Sequence, residues 1–390
     1  MKVIKNARLY TMDSIHDEIG FVAIKDKKIE AIGCHFDAQK YQDYEIIDAK
    51  KQIVTPGLVE PHCHIGVMEE GIQFEGNDTN EITNPIYPEL RGIDSFYPND
   101  TAFRYAMNAG VTTVVSGPGS ANIIGGTFDA YKTIGKTADE MVFKRDLCMK
   151  MALGENPKRV YSSQKKNPST RMASAALMRE WLKKAQEYHE AKEKYKQTNN
   201  ASDKPSFDMK LESLSRVFEG MKVKIHAHRS DDIMTAIRIA KEFNLDMTIE
   251  HGTEAHLIAE ALKEAQTKVI LGPTLGTGTK YETKHRSFDS AKILAKHGID
   301  FAVMTDHPVI SLESIMIQLA LFVKAGLDRK KALEAITINA AKLNGIEDRV
   351  GSLTAGKDAD IVIWDGDIFD IMTRPESVYI EGALVAKKGA

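Results

Sequence analysis

Cysteine is nearly absent: Cys34, Cys63 and Cys148 are scattered over 390 residues, odd in number and without a C-x-x-C pair. That argues against a disulfide framework and a cysteine-built zinc knuckle, and it suits a reducing, cytoplasmic setting. Long apolar runs are missing too. No window approaches the roughly 20 apolar residues that a membrane helix needs, and the N-terminal run Met1-Lys-Val-Ile-Lys-Asn-Ala-Arg8 has no apolar stretch of signal-peptide length. Neither sign of charge dominates, with 52 basic against 55 acidic side chains and a net charge of -3. This balance calls for neither nucleic acid nor a membrane surface, which leaves a small molecule as the expected partner. A nucleotide fingerprint is also lacking. Gly117-Pro-Gly-Ser-Ala-Asn-Ile-Ile-Gly-Gly126 is glycine-rich and follows a strand-like run, yet it has no Gly-Lys-Ser/Thr and no helix pattern behind it. It reads as a wide loop near a site.

What is present is an α/β pattern, in a chain long enough for one large domain with a smaller companion. Short strand-like runs cluster at both ends: Val3-Ile4, Phe21–Ile24, Ile29–Ile32 after the polar turn Asp26-Lys27-Lys28, and Glu45–Ile47, then Asp360–Trp364, Val378–Ile380 and Leu384-Val385. They predict a small composite β-domain from residues 1–56 plus 346–390. Between 57 and 345 lie eight apolar runs, at 58–64, 112–116, 128–133, 147–153, 223–228, 247–251, 269–271 and 301–305. Helical periodicity separates most of them, as at 233–243, 255–265, 290–297 and 312–325. The pattern predicts a (β/α)8 barrel with reactive residues at the C-terminal ends of its strands. A long charged insert, about 156–222, contains Arg179–Lys194, which is expected to be a solvated amphipathic helix, and then the polar loop Gln197–Ser206.

Ligand-type residues stand where barrel strands should end. His62 and His64, in Thr55-Pro-Gly-Leu-Val-Glu-Pro-His-Cys-His64, share a face of an extended strand because side chains alternate with period 2. Cys63 then faces away, as a buried, inert thiol. His226 and His228 close Val223-Lys-Ile-His-Ala-His228, His251 closes Met247-Thr-Ile-Glu-His251, and Asp306 with His307 closes Phe301-Ala-Val-Met-Thr-Asp-His307. One strand-end histidine is usually an ordinary hydrogen-bonded residue; four strand ends carrying such groups point to a metal site.

These segments, with Gly351-Ser-Leu-Thr-Ala-Gly-Lys-Asp-Ala-Asp-Ile-Val-Ile363, resemble the amidohydrolase superfamily over essentially the whole chain, most closely the branch that holds imidazolonepropionase. The resemblance implies a β-sandwich made from both termini beside the barrel, a homo-oligomer, and hydrolysis of a C–N amide bond in a cyclic amide, N-acyl compound or short peptide. It implies one or two zinc ions, with manganese, iron or nickel as alternatives, and with His62, His64 and Asp306 on the more buried ion and His226 and His251 on the second or on the substrate side. Asp306 would serve as general base and then acid for an activated hydroxide. His228, facing the same way as His226, would hold a carbonyl oxygen or orient a ligand. A bridging ligand is expected from the fourth strand: Glu155 directly, which is preferred because it lies beyond the apolar run, or Lys150 once carboxylated by CO2. Arg229, Lys158, Arg159, Tyr161 and Arg171 are candidates to clamp a substrate carboxylate. Hydrolytic deamination of a heterocycle is the alternative chemistry, weakened because Ala227-His228-Arg229 offers no glutamate after His226. An inactive scaffold would have lost ligands that this chain keeps.

Overall fold

Alternating apolar residues at the two ends of the chain build one sheet. The computed structural model describes residues 1–278 and 280–389. Strands β1 (Lys2–Tyr10), β2 (His16–Lys25), β3 (Lys28–Gly33), β4 (Glu45–Asp48) and β5 (Ile53–Pro56) come from the N-terminal segment. Asp26 and Lys27 join β2 to β3 with φ of 47° and 69°, the left-handed pair that a two-residue hairpin turn needs. The C-terminal segment returns to this sheet as described below.

Eight further strands form the barrel sheet: β6 (Leu58–Cys63), β7 (Val111–Ser116), β8 (Ile124–Lys132), β9 (Val142–Ala152), β10 (Lys222–Ala227), β11 (Met247–His251), β12 (Lys268–Leu271) and β13 (Phe301–Val303). Seven run the same way, but β8 is antiparallel to both β7 and β9. This departs from the regular alternation expected from sequence. Residues 117–123, between β7 and β8, are too few for the crossover of a dozen or more residues that parallel strands require. The sheet nearly closes on itself. His64 N–H donates to the His307 carbonyl at 2.8 Å, and Glu60 Oε2 accepts from Thr305 N–H at 2.9 Å and Oγ1 at 2.7 Å.

β14 (Ile361–Trp364), β15 (Pro375–Ile380) and β16 (Ala383–Lys387) then complete the first sheet, with β14 antiparallel to β5. Trp364 is buried there, and its indole N–H donates to Thr55 Oγ1 at 2.9 Å. An ion cluster locks the two sheets together. Asp358 meets Lys28 of β3, Lys132 at the end of β8 (2.9 Å) and Arg349 (2.8 Å), while Asp360 also meets Lys132 at 2.6 Å.

The insert is more deeply engaged than a solvated helix. Arg171–Thr198 runs 28 residues and buries Ser174, Ala175, Met178, Leu182, Ala185 and Tyr188, a stripe at helical spacing. Thr170 caps it by accepting the Ala173 N–H at 3.0 Å. Among the described residues, no helix is long and apolar enough to cross a membrane.

Candidate metal centre

Period 2 sends Glu60, His62 and His64 to one side and Cys63 to the other, where its buried thiol lies 3.7 Å from the Val115 carbonyl. His62 is fully buried. Its Nδ1 lies 2.7 Å from Glu250 Oε2, and its Nε2 lies 3.2 Å from Lys150 Nζ and 3.6 Å from Asp306 Oδ1. His64 holds the Gly117 carbonyl through Nδ1 at 2.8 Å and turns Nε2 to Asp306 Oδ1 at 3.3 Å. His251 holds the Gly272 carbonyl through Nδ1 at 2.8 Å, and His228 Nδ1 meets Thr253 Oγ1 at 2.7 Å. A ring nitrogen that donates to a carbonyl leaves the opposite nitrogen with a lone pair free to ligate.

Among the described residues two groups of donors result: His62, His251 and Asp306, and His226, His228 and His251, with the ligand atoms of each group within 4.8 Å of one another. His251 belongs to both. Burial pushes the imidazoles of His62, His226, His228 and His251 well below their ordinary pKa, which keeps them neutral, the form that binds metal. Asp306 Oδ1, His226 Nδ1 and Glu282 Oε1 are buried without a hydrogen-bond partner among the described residues. Buried orphans of that kind, all of them metal-donor atoms, fit a divalent cation. His251 and Asp306 also hold left-handed backbone, with φ of 74° and 54°, a strain that non-glycine residues keep where the surroundings enforce it.

Sequence reasoning missed the groups behind these donors. Glu60 accepts the His62 N–H at 3.1 Å as well as the Thr305 groups, and burial pushes its carboxyl up to about 8. It stands two residues before His62, so the same period could have found it. Glu250 pairs with Lys224 at 3.4 Å beneath His62. Glu282 comes from the long connection after β12, where no periodicity marks it. Its Oε1 lies 3.8 Å from His226 Nε2 and 3.7 Å from His228 Nε2.

Glu155, the residue expected to bridge, starts a helix at the end of β9. Gly154, at φ 87°, turns the chain out of β9, and Glu155 becomes the first residue of the helix Glu155–Ser163. There its N–H donates to Glu282 Oε2 at 2.9 Å and its own Oε2 faces the Glu282 N–H at 3.4 Å, outside both donor groups. Lys150 points inward beside His62, fully buried, and burial pushes its ammonium down to about 8. The expected carboxylate clamps are engaged elsewhere: Arg229 with Asp231, Arg171 with Asp232, and Tyr161 with the Asn84 carbonyl. Neither these three nor Lys158 or Arg159 lines the cavity of about 370 Å³ that opens over His64, His226, His228, His251 and Asp306.

Residues 53–386 match the amidohydrolase family. The chain belongs to it. A crystal structure of an amidohydrolase from Thermotoga maritima MSB8 is 39% identical, with complete coverage of both chains and a TM-score of 0.95. The amidohydrolase tasK of Hapsidospora irregularis is 28% identical over 389 residues, 94% of this chain, which spans 39% of the length of tasK. The imidazolonepropionase of Bacillus cytotoxicus is 25% identical over 392 residues, covering 93% of this chain and 86% of that protein. This amidohydrolase carries its donors on β6, on β10 and just beyond it, on β11, and just beyond β13.

Proposed function

We propose that this amidohydrolase cleaves carbon–nitrogen bonds of small substrates, cyclic amides, N-acyl compounds or short peptides, with one or two zinc ions held by His62, His64, His226, His251 and Asp306. One observation carries the reading: imidazoles from three strand ends turn toward one buried space together with the unpartnered Oδ1 of Asp306. A bound divalent ion would supply water activation and carbonyl polarisation there. Asp306 takes the proton of the attacking water on its carboxylate and returns it to the leaving nitrogen. His228, fixed by Thr253, would offer Nε2 to a second ion or to the substrate carbonyl oxygen. Lys150, buried beside His62, would supply a metal ligand in place of Glu155 once carboxylated by CO2. The sheet from both termini (residues 1–56 and 346–390) is read as a companion β-sandwich to the 57–345 barrel, and three free cysteines suit a cytoplasmic enzyme.

The test is turnover of a panel of such amides by metal-loaded protein, wild type against Asp306→Asn. Asparagine tolerates the left-handed backbone at this position, and the rate is expected to fall by about 10²- to 10⁴-fold. An unchanged rate in a folded variant overturns the assignment of Asp306.

A further inference from the structure

The cavity over the donor groups has a charged wall that the reaction itself leaves unexplained. Lys280 and Arg286, from the connection after β12, line it together with His64 and Asp306. Arg286 is half-buried and donates one hydrogen bond, to the Thr277 carbonyl at 3.2 Å, while its Nε is buried with no partner among the described residues. Among the described residues no carboxylate relieves that burial, and desolvation holds the guanidinium below its ordinary range. The acids of the neighbouring segments face other groups: Glu282 takes the Glu155 N–H through Oε2 and turns its unpartnered Oε1 toward His226 and His228, Glu254 takes the Ser230 N–H and His285, and Asp289 takes Lys292. Both cations lie close enough for their charge to act on His228. A guanidinium desolvated without a counter-charge is costly, and a bound anion offsets the cost.

We infer that Arg286, assisted by Lys280, receives a carboxylate of the substrate, so that the proposed hydrolase acts on amides that carry a free carboxylate near the scissile bond. This deepens the hydrolase reading and rests on it for the word substrate, but not for the anion site. The planar fork of arginine matches a carboxylate in two-point geometry, whereas lysine adds only a point charge. Arg286 is therefore a specificity residue and takes no part in proton transfer. A cavity of about 370 Å³ holds a compact ligand such as an N-acyl amino acid or dipeptide.

Two measurements test this. In the first, N-acyl amino acids and dipeptides are compared with their C-terminal carboxamides as substrates of wild type, Arg286→Gln, Arg286→Lys and Lys280→Gln. Acids should be preferred, and Arg286→Gln should raise their KM about 10- to 100-fold with little change in kcat, leaving carboxamides unaffected. Arg286→Lys should recover part of the loss. Equal use of acids and carboxamides by wild type, or a KM that ignores Arg286, overturns the inference. In the second, succinate and succinamide are titrated calorimetrically into the same proteins. Succinate binding weakened at least tenfold by Arg286→Gln, with no turnover of any amide, keeps the anion site and refutes the hydrolase reading. Succinate bound equally by wild type and Arg286→Gln refutes the anion site whatever the turnover.

Discussion

Replacing Lys150 with methionine removes a charge that the fold holds at a cost. Burial takes this amine from an ordinary 10.5 down to about 8, and the difference of about 2.5 units (10.5 − 8), at 1.36 kcal/mol each, is about 3 kcal/mol. The sign follows from proton counts. Between pH 8 and 10.5 the unfolded chain binds a proton that the native state has released, so stability rises with pH across that window, and below pH 8 the full penalty stands. Methionine is of similar volume and uncharged, and Glu250 keeps Lys224 at 3.4 Å as its counter-charge. At pH 7 the metal-free Lys150→Met protein should therefore be more stable than metal-free wild type by up to about 3 kcal/mol, seen as a higher thermal midpoint. The advantage should shrink as pH is raised from 8 to 10.5. The same substitution removes the amine that CO2 would convert to a carbamate, so metal content after chelator-free purification should fall, while Glu155→Gln leaves both readouts unchanged. A Lys150→Met protein that melts below wild type at pH 7, or that keeps its metal while Glu155→Gln loses it, refutes the reasoning.

Glu282→Gln should weaken metal binding about 10- to 100-fold, because the carboxylate beside His226 and His228 adds charge and orientation to those rings; competition against a chelator measures this, and unchanged affinity counts against the role. Asp358→Asn should flatten acid unfolding. Arg349, Lys132 and Lys28 hold the Asp358 carboxyl down to about 2, so its stabilisation is complete above the unfolded pKa near 3.8 and is lost as pH falls from about 4 to 2. With Arg349 and Lys28 partly exposed and screened, the loss is about 1–2 kcal/mol, and a variant whose stability tracks wild type from pH 4 to 2 would remove the cluster from the stability argument.

Ligand-type residues at the ends of apolar runs were legible; the acids around them and the residues of the long connections were not. His62, His64, His226 and His251 could be found because a strand fixes side-chain direction to alternate residues, and the end of an apolar run marks the rim. Glu155 was expected at the rim because it lies just beyond the apolar run; Gly154 turns the chain there and Glu155 starts a helix, which no strand period signals. Lys150 was visible as a residue of the run, yet only burial and the neighbouring His62 distinguish it from a lysine that reaches solvent. Glu282, Lys280 and Arg286 belong to the connection 272–288 before the helix Asp289–His297, where sequence carries no period and position depends on packing against β10, β11 and the 155–163 helix. The reversed β8 was hidden because strand periodicity is the same in both directions.

That reversal explains the glycine-rich run that failed as a phosphate loop. A parallel third strand would have begun at the opposite rim, after a helical crossover. Because β8 begins at the rim that carries the site, residues 117–123 cross directly between strand ends, and their polar atoms reach His64 and, through Asn156, His226. The Gly117 carbonyl fixes His64, and Ser120 Oγ accepts from Asn156 at 2.7 Å, whose amide lies 3.4 Å from His226. A side chain at Gly117 would lie 2.7 Å from the ring of Phe128, and that ring packs 4.9 Å from His62. At Gly126, with φ at 103°, a side chain would strike the Leu90 carbonyl at 2.3 Å. The glycines thus let a backbone strand lie flat against Phe128 and the 90–92 segment while aiming a carbonyl at a histidine. Alanine at Gly117 should tilt that carbonyl and loosen His64 before it affects His226, which this loop reaches only through Ser120 and Asn156.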